Sequence, residues 1–353
     1  MEIVASSLAT GLAGRGWEPG VTCTEALGEL GPALRNAAIP VALVPAPGVR
    51  SMIRAPRLAA HFRARNPNLV MTHSGVWLRG ARAARAAGVG AVLHAIHGLF
   101  VKEPWFGPAE KRLGARYTDR IVAVSPSLRE YLRQVVRIPD ARIEVIPNGI
   151  DTARFRPGQG REAARARIGA GPETLVLGCV SRLDPVKNLP LLLRVAAELM
   201  REPRNIRVLL VGDGPARAQL EELSATLGIA DRVHFAGAVA DPEQWYGAMD
   251  VFVLPSFIEA APMCLLEAMA SGCCVVATDV GANRATLADG EAGALIPADD
   301  HVALSDTLRW LADDRPERHR LQDAGLRRVR QEFSLDRMVE SYDDLFRRVL
   351  RQT

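Results

Sequence analysis

Val251-Phe-Val-Leu254-Pro-Ser-Phe-Ile-Glu259-Ala-Ala-Pro262-Met-Cys-Leu-Leu-Glu267-Ala-Met-Ala-Ser-Gly272 is the stretch on which the reading of the fold turns. Val251–Leu254 is an apolar run of strand length. Pro262 is a good first helical residue, and the short-sided apolar run from Met263 to Ser271 is closed by Gly272. Strand, loop and helix in that order form one βα unit. The start of such a helix offers unpaired N–H groups and a partial positive charge to an anion such as a diphosphate. Glu259 then lies ahead of the anion and Glu267 beside it, roughly 7–8 Å further along at a 1.5 Å rise per residue from Pro262. A diphosphate flanked by two hydroxyl-rich sugars fits between the two carboxylates, so the spacing suits a nucleotide-sugar. The plain alternative is an amphipathic helix with incidental glutamates.

Outward from this unit, short apolar or β-branched runs alternate with helical segments along the whole chain, the pattern of parallel α/β sheets. In the first half the spacing predicts strands near Val41–Val44, Leu69–Thr72, Ala91–Ile96, Ile121–Val124 and Ile143–Ile146. In the second it predicts Thr174–Val180, Ile206–Val211, Val233–Phe235, Val251–Leu254, Cys274–Ala277 and Ala294–Ile296. The Gly/Pro-rich stretches Pro157-Gly-Gln-Gly160 and Gly169-Ala-Gly-Pro172 mark the expected junction. At 353 residues the chain exceeds the size of a usual single core. The expectation is an α/β protein of two facing Rossmann-like domains, residues 1–155 and 156–332. Residues 333–353 carry apolar side chains at helical spacing and are read as a helix docking back on the first domain. In such sheets ligands sit at the carboxyl ends of strands, which places the expected site in the cleft between the domains.

Composition is that of a soluble globular protein. Neither a membrane-spanning run nor a signal peptide is indicated, and five cysteines without paired Cys-x-x-Cys spacing argue against a disulfide framework or structural zinc. A cytoplasmic location is expected. Charge is uneven: residues 1–146 hold 19 Lys and Arg against 10 Asp and Glu, a net of +9, and the remainder holds 25 against 30, a net of −5. Arg50, Arg54, Arg57, Arg63, Arg65, Arg79, Arg82 and Arg85 suit an anionic surface, so peripheral contact with the inner face of the cell membrane, or a phosphorylated acceptor, is an expectation beside ordinary solvated helix faces. No nucleic-acid motif or stacking ladder accompanies the charge.

Strand Thr174–Val180 runs into Ser181-Arg-Leu-Asp-Pro-Val-Lys-Asn188, which puts Arg182 and Lys187 on one strand-to-helix loop, where two cations could neutralise a diphosphate. Lysine occurs only at Lys102, Lys111 and Lys187, so an ammonium in the second half is a pointed choice. No Asp-x-Asp is present to bridge a divalent ion to a diphosphate, and Arg182, Lys187 and a helix start could stabilise the leaving charge instead. Gly212 and Gly214, in Leu210-Val-Gly-Asp-Gly-Pro215, lack the Gly-x-Gly-x-x-Gly order of dinucleotide sites, so no nicotinamide cofactor is expected. That turn either lets backbone approach a nucleotide or simply closes a βα unit. Among the histidines, His97 stands before Gly98 at a strand exit and is the candidate to bond a sugar hydroxyl or the acceptor; His73 and His94 are read as structural. Cys264 is read as a small helix-start residue rather than a nucleophile.

Taken in order, Ala95-Ile-His-Gly98, Val124-Ser-Pro-Ser127, Val145-Ile-Pro-Asn-Gly-Ile-Asp151 with Phe155, Ser181-Arg-Leu-Asp-Pro-Val-Lys187, Val211-Gly-Asp-Gly-Pro215 and Glu259 through Gly272 form a specific set. With them the chain resembles the retaining glycosyltransferases of the family-4 type, which have the GT-B architecture, over nearly its whole length. The resemblance implies Arg182 and Lys187 on the donor diphosphate, Glu259 on the donor sugar, Glu267 on the ribose and His97 near the transferred sugar. His97, Arg182, Lys187 and Glu259 are then the catalytic set, and Gly212, Gly214, Ala260, Ala261, Pro262 and Met263 complete the donor-binding set. It further implies transfer with retention to a glycan, lipid-linked or small acceptor, with no metal and no cofactor beyond the nucleotide-sugar itself. The acceptor would be read by first-domain loops, including Leu99 to Pro108 with Trp105 and Phe106.

Two departures bear on these expectations. Ala260-Ala261 stands where the family has Gly-aromatic after the first glutamate, and Gly281-Ala-Asn-Arg-Ala285 lacks the usual second glycine and downstream glutamate. Met1-Glu2-Ile-Val resembles the residues just after the family's first strand and Gly-Gly loop, so the first domain is expected to lack its N-terminal strand and the chain to bind donor but transfer poorly. The competing readings are another GT-B enzyme, such as a nucleotide-sugar epimerase, and a non-catalytic nucleotide-sugar-binding protein.

Overall fold

The computed structural model describes residues 2–28, 31–48, 50–98 and 107–352. They form two compact units, Met1–Gly149 with Leu335–Thr353, and Ile150–Ser334. The chain crosses between them at two adjacent points, where the Ile150 N–H donates to the Phe333 carbonyl at 2.8 Å. The second unit thus begins ahead of the Gly/Pro-rich stretch. Helix Arg161–Arg167 within that stretch belongs to the second unit because Arg161 and Arg165 both grip Asp250, at 2.7 and 3.1 Å.

Among the described residues of the first unit, six parallel strands fall into two ladders. β1 (Val21–Cys23) pairs with β2 (Val41–Leu43), while β3 (Leu69–His73), β4 (Ala91–Ile96), β5 (Arg120–Ala123) and β6 (Ile143–Val145) pair in chain order. Every residue of β4 is buried, because a parallel strand covered on both faces reads as an unbroken apolar run. β1 escaped the sequence reading: it is three half-buried residues with no such run. Helix Leu335–Leu350 belongs to this unit and lies on helix Glu2–Ala13, close enough that a Cβ on Gly11 would sit 2.5 Å from a Val339 methyl. The Trp17 indole fixes the pair, donating to Asp343 at 2.8 Å and meeting the Phe346 ring edge-on.

The second unit is one six-stranded parallel sheet. Its strands β7 (Leu175–Val180), β8 (Ile206–Val211), β9 (Val233–Gly237), β10 (Val251–Leu254), β11 (Cys274–Thr278) and β12 (Ala294–Ile296) stand in the order β12-β11-β10-β7-β8-β9. Helix Leu189–Leu199 packs Leu191, Leu192, Leu193, Val195 and Leu199 into the core, each worth about 1.5–3 kcal/mol of burial. The chain steps outward from β7 through β8 to β9, then returns to place β10 on the other side of β7. That reversal makes the carboxyl ends of β7 and β10 the topological switch point, where the following loops diverge and leave a crevice. Among the described residues, no helix is long and apolar enough to cross a membrane.

Candidate functional site

The loops leaving β7 and β10 are stitched together by the Phe257 N–H, which donates to the Val186 carbonyl at 2.9 Å. After β7, Asp184 caps the 3-10 turn Pro185–Lys187 by accepting from the Val186 N–H, which aims Lys187 back at the β10 loop. Its Nζ lies 2.6 Å from Glu259 Oε1, with both side chains mostly buried. Ser256, fully buried, donates its hydroxyl to the same carboxylate oxygen at 2.6 Å, and its own carbonyl accepts from Thr278 Oγ1 at 2.7 Å. The Glu259 backbone is pressed against the loop after β11. Gly281 there has φ +58°, and a Cβ on it would sit 1.8 Å from the Glu259 carbonyl oxygen, so only glycine admits this approach.

Burial alone would lower the Lys187 ammonium, but the Glu259 carboxylate outweighs it and holds the group above its ordinary value. Arg182, on the same loop, is 71% exposed at its side chain and lies 3.7 Å from Asp184. The loop thus presents one fixed, desolvated ammonium and one guanidinium reaching into solvent. A multiply charged anion can engage both, because each retains N–H donors beyond its present contacts.

Gly212 and Gly214 serve the loop-to-loop approach. Gly212 has φ +128°, and Cβ atoms at these positions would fall 1.9 Å from the Ser181 carbonyl oxygen and 2.4 Å from that of Leu183. Leu183 N–H donates to the Asp213 carbonyl at 3.0 Å, and Ala216 N–H to the Leu183 carbonyl at 2.9 Å. The β8 loop therefore braces the Arg182 loop from behind.

Ala260, Ala261, Pro262 and Met263 are half-buried, and the helix runs from Met263 to Ala270. Pro262 is its N-cap, with extended ψ, rather than its first helical residue: Leu265 N–H still reaches the Pro262 carbonyl at 3.2 Å, so the turn starts one residue later than the sequence reading. Gly272, at φ +76°, closes the helix with Cys273 N–H on the Ala268 carbonyl and Gly272 N–H on that of Met269. Glu267, mostly buried, accepts from the fully buried Tyr246 hydroxyl at 2.7 Å; burial raises its carboxyl and that hydrogen bond opposes the rise. Burial holds the Cys264 thiol well above its ordinary range, so it is no thiolate.

His97 stands in the first unit, and the structure gives it a partner that sequence reasoning set aside. His73 Nδ1 and His97 Nε2 are 2.9 Å apart with the rings stacked. The register explains the meeting: His73 is level with Ala95 on the neighbouring strand, and His97, two residues on, takes the same face. Burial lowers His73 to about 4 and His97 to about 3, so both are neutral and one donates to the other. His94 is structural, stacked on Trp77 at 4.0 Å and bonded to Thr72 Oγ1 at 2.8 Å. The loop carrying Trp105 and Phe106, residues 99–106, lies outside the described residues.

Ser256 and Tyr246 join the candidates of the second unit without having been singled out by the sequence. Ser256 carried a faint signal, three residues before Glu259 at a strand exit; Tyr246, 21 residues from Glu267, carried none.

Two parallel α/β units, with a paired lysine and glutamate at the switch point of the second, define a GT-B type of protein. Its sequence matches the family models of glycosyl transferases group 1 over residues 160–328 and of glycosyltransferase family 4 over residues 1–154, and the chain belongs to this family. It is 38% identical over 240 residues to the D-inositol 3-phosphate glycosyltransferase of Nocardia farcinica, covering 63% of this chain and 51% of that one. It is 32% identical over 243 residues to the lipopolysaccharide core biosynthesis mannosyltransferase LpsB of Rhizobium meliloti, 67% of each chain. The match to the D-inositol 3-phosphate glycosyltransferase of Streptomyces coelicolor is 31% over 314 residues, 78% of this chain and 68% of that one. The chain spans 51% to 60% of the length of the Nocardia farcinica relative and of two further D-inositol 3-phosphate glycosyltransferases, from Streptomyces avermitilis and Streptomyces scabiei. The fold is also that of a glycosyltransferase from Rickettsia africae, at TM-score 0.87 and 20% identity over 100% of this chain and 95% of that one. HepE of Anabaena, solved in complex with UDP, matches at TM-score 0.84 and 21% identity over 98% and 95%.

Proposed function

We propose that the protein transfers a sugar from a nucleotide-sugar donor to a glycan, lipid-linked or small-molecule acceptor, with retention of anomeric configuration and without a divalent metal. The observation that carries this reading is the Lys187–Glu259 pair at 2.6 Å on the switch-point loops, with Arg182 exposed on the same loop as Lys187. In this reading Arg182 and Lys187 take the donor diphosphate, with Gly212 and Gly214 bracing the loop that holds them. Glu259, oriented by Lys187 and Ser256, accepts from hydroxyls of the donor sugar. Glu267 takes the ribose, Ala260 through Met263 line the phosphate, and His97 lies near the transferred sugar.

As the glycosidic bond to the diphosphate breaks, negative charge grows on the leaving phosphate. Fixed cations placed where that charge develops supply the largest share of catalysis in such sites. Support for sugar transfer comes from the names of the relatives, and for a nucleotide-sugar from the UDP, and in a further structure UDP-glucose, bound to HepE. The acceptor belongs to the first unit, whose exposed Arg54, Arg57, Arg63 and Arg65 suit a phosphorylated acceptor or anionic headgroups at the inner face of the membrane.

Incubation with UDP-, GDP- and ADP-sugars, following release of free nucleotide, tests the reading. Turnover of one donor by the wild type, abolished in Lys187→Ala/Glu259→Ala, is expected. Full activity of the double variant, or no turnover of any donor with any acceptor offered, contradicts it.

A further inference from the structure

Tyr246 ends helix Glu243–Tyr246 with its side chain wholly buried. Its ring is boxed edge-on by Phe155 and tilted against Phe252, both at 5.9 Å between centroids. Its backbone is held as well: its N–H donates to the Pro242 carbonyl at 3.2 Å, and its carbonyl accepts from Cys273 Sγ at 3.4 Å. Glu243, at the other end of the same turn, is clamped by Arg154 at 3.0 Å. All of this fixes one atom, the phenolic oxygen, which donates to Glu267 Oε2 at 2.7 Å.

A carboxylate has two oxygens, and among the described residues only Oε2 has a protein partner. Oε1 is the acceptor left for a ligand. Ribose presents two vicinal hydroxyls, both donors, and an oriented, ionised carboxylate is the group that captures them. Without the phenol Glu267 loses its fixed rotamer and the hydrogen bond that counters its burial; it becomes both mobile and easier to protonate.

Resting on the reading of Glu267 as the ribose ligand, we infer that Tyr246 is a positioning residue that sets how strongly the site tells a ribonucleotide from one lacking the ribose hydroxyls. It touches no substrate. It acts through Glu267, and its hydroxyl, not its bulk, carries the effect.

The test is equilibrium binding of UDP and GDP, each beside its 2′,3′-dideoxy counterpart, to the full chain as wild type, Glu267→Gln and Tyr246→Phe. For whichever nucleotide binds, the wild type should prefer the ribo form by about tenfold or more, the scale of an unmade bond to a buried polar group. Glu267→Gln and Tyr246→Phe should each lose most of that preference, with dideoxy binding unchanged. A wild type that does not discriminate, or a Glu267→Gln that still does, removes the ribose assignment of Glu267 and the inference with it. A Tyr246→Phe that discriminates fully, or that weakens ribo and dideoxy forms alike, overturns the role of Tyr246 and leaves Glu267 standing. If Tyr246→Phe does not fold, a ring-fluorinated tyrosine at position 246 keeps the shape and strengthens the donor. A changed preference then supports the inference and an unchanged one overturns it.

Discussion

Lys187→Met removes the ammonium from the switch-point loop and keeps a chain of similar reach. Truncating one partner of a fully buried ion pair costs about 3–5 kcal/mol. Lys187 is 18% exposed at its side chain and Glu259 8%, and Ser256 keeps its 2.6 Å bond to Oε1, so the orphaned carboxylate retains one donor and some water. The expected loss of stability is therefore smaller, about 1.5–3 kcal/mol, the scale of a hydrogen bond to a charged group. The loss of activity should be larger, about 10²–10³ in kcat/KM, because the ammonium acts on charge that develops only as the bond to the donor phosphate breaks. Urea denaturation and initial rates of nucleotide release measure the two effects. The stability contribution also has a pH signature. A lysine raised above its ordinary 10.5 contributes fully at lower pH and loses that contribution only as pH rises through the folded value, so the difference between wild type and variant should stay flat from about pH 6 to about pH 9. Activity within about threefold of wild type, a difference of about 0.65 kcal/mol at 1.36 kcal/mol per tenfold, would refute the assignment of Lys187 to the leaving group.

The histidine pair makes a second pH-dependent contribution of opposite sense. His73 near 4 and His97 near 3 stay neutral while the unfolded chain takes up protons below about 6.5, so stability should fall with pH in that window by up to about 1.4 kcal/mol per unit for each imidazole. His73→Asn/His97→Asn should flatten the slope between neutral pH and about pH 4, and parallel slopes in chemical denaturation would count against a neutral pair. Gly281→Ala drives a Cβ into the Glu259 carbonyl from a positive φ; a loss of at least about 1 kcal/mol is expected, with about a tenfold fall in turnover as the Glu259 loop shifts, and wild-type kinetics would contradict the placement of that loop. Arg165→Met withdraws a guanidinium bonded to the carbonyls of Ala248, Gly171 and Thr174 and to Asp250; it should destabilise the chain by about 3–5 kcal/mol in urea while leaving donor KM unchanged in the folded fraction, and a stability within 1 kcal/mol or so of wild type would show that the buried network is not needed.

Local sequence carried the strands of the second unit well because a parallel strand between two helix layers must be apolar at every position. Ile206–Val211, Val251–Leu254 and Ala294–Ile296 have the bounds the spacing predicts. It missed Val21–Cys23, too short and too exposed to show a pattern, and it set the helix start at Pro262 one residue early, because proline suits the N-cap here as well as the first turn. The glycines at 212 and 214 were legible as a tight strand exit. Which neighbour required them, the loop Ser181 to Leu183, was not.

From sequence alone come the α/β class, the separation of charge between the halves, and the candidates Arg182, Lys187, Glu259, Glu267 and His97, since each rests on residue type and spacing within one βα unit. Only tertiary structure decides which of them meet. Lys187 and Glu259 are 72 residues apart and touch because β10 returns to pair beside β7; His73 and His97 meet because of the β3–β4 register; Glu267 finds Tyr246 through the packing of two helices. Strand order and register are long-range pairings, decided by the burial of whole faces rather than by any run of neighbours, and the chemistry of this site is set at that level.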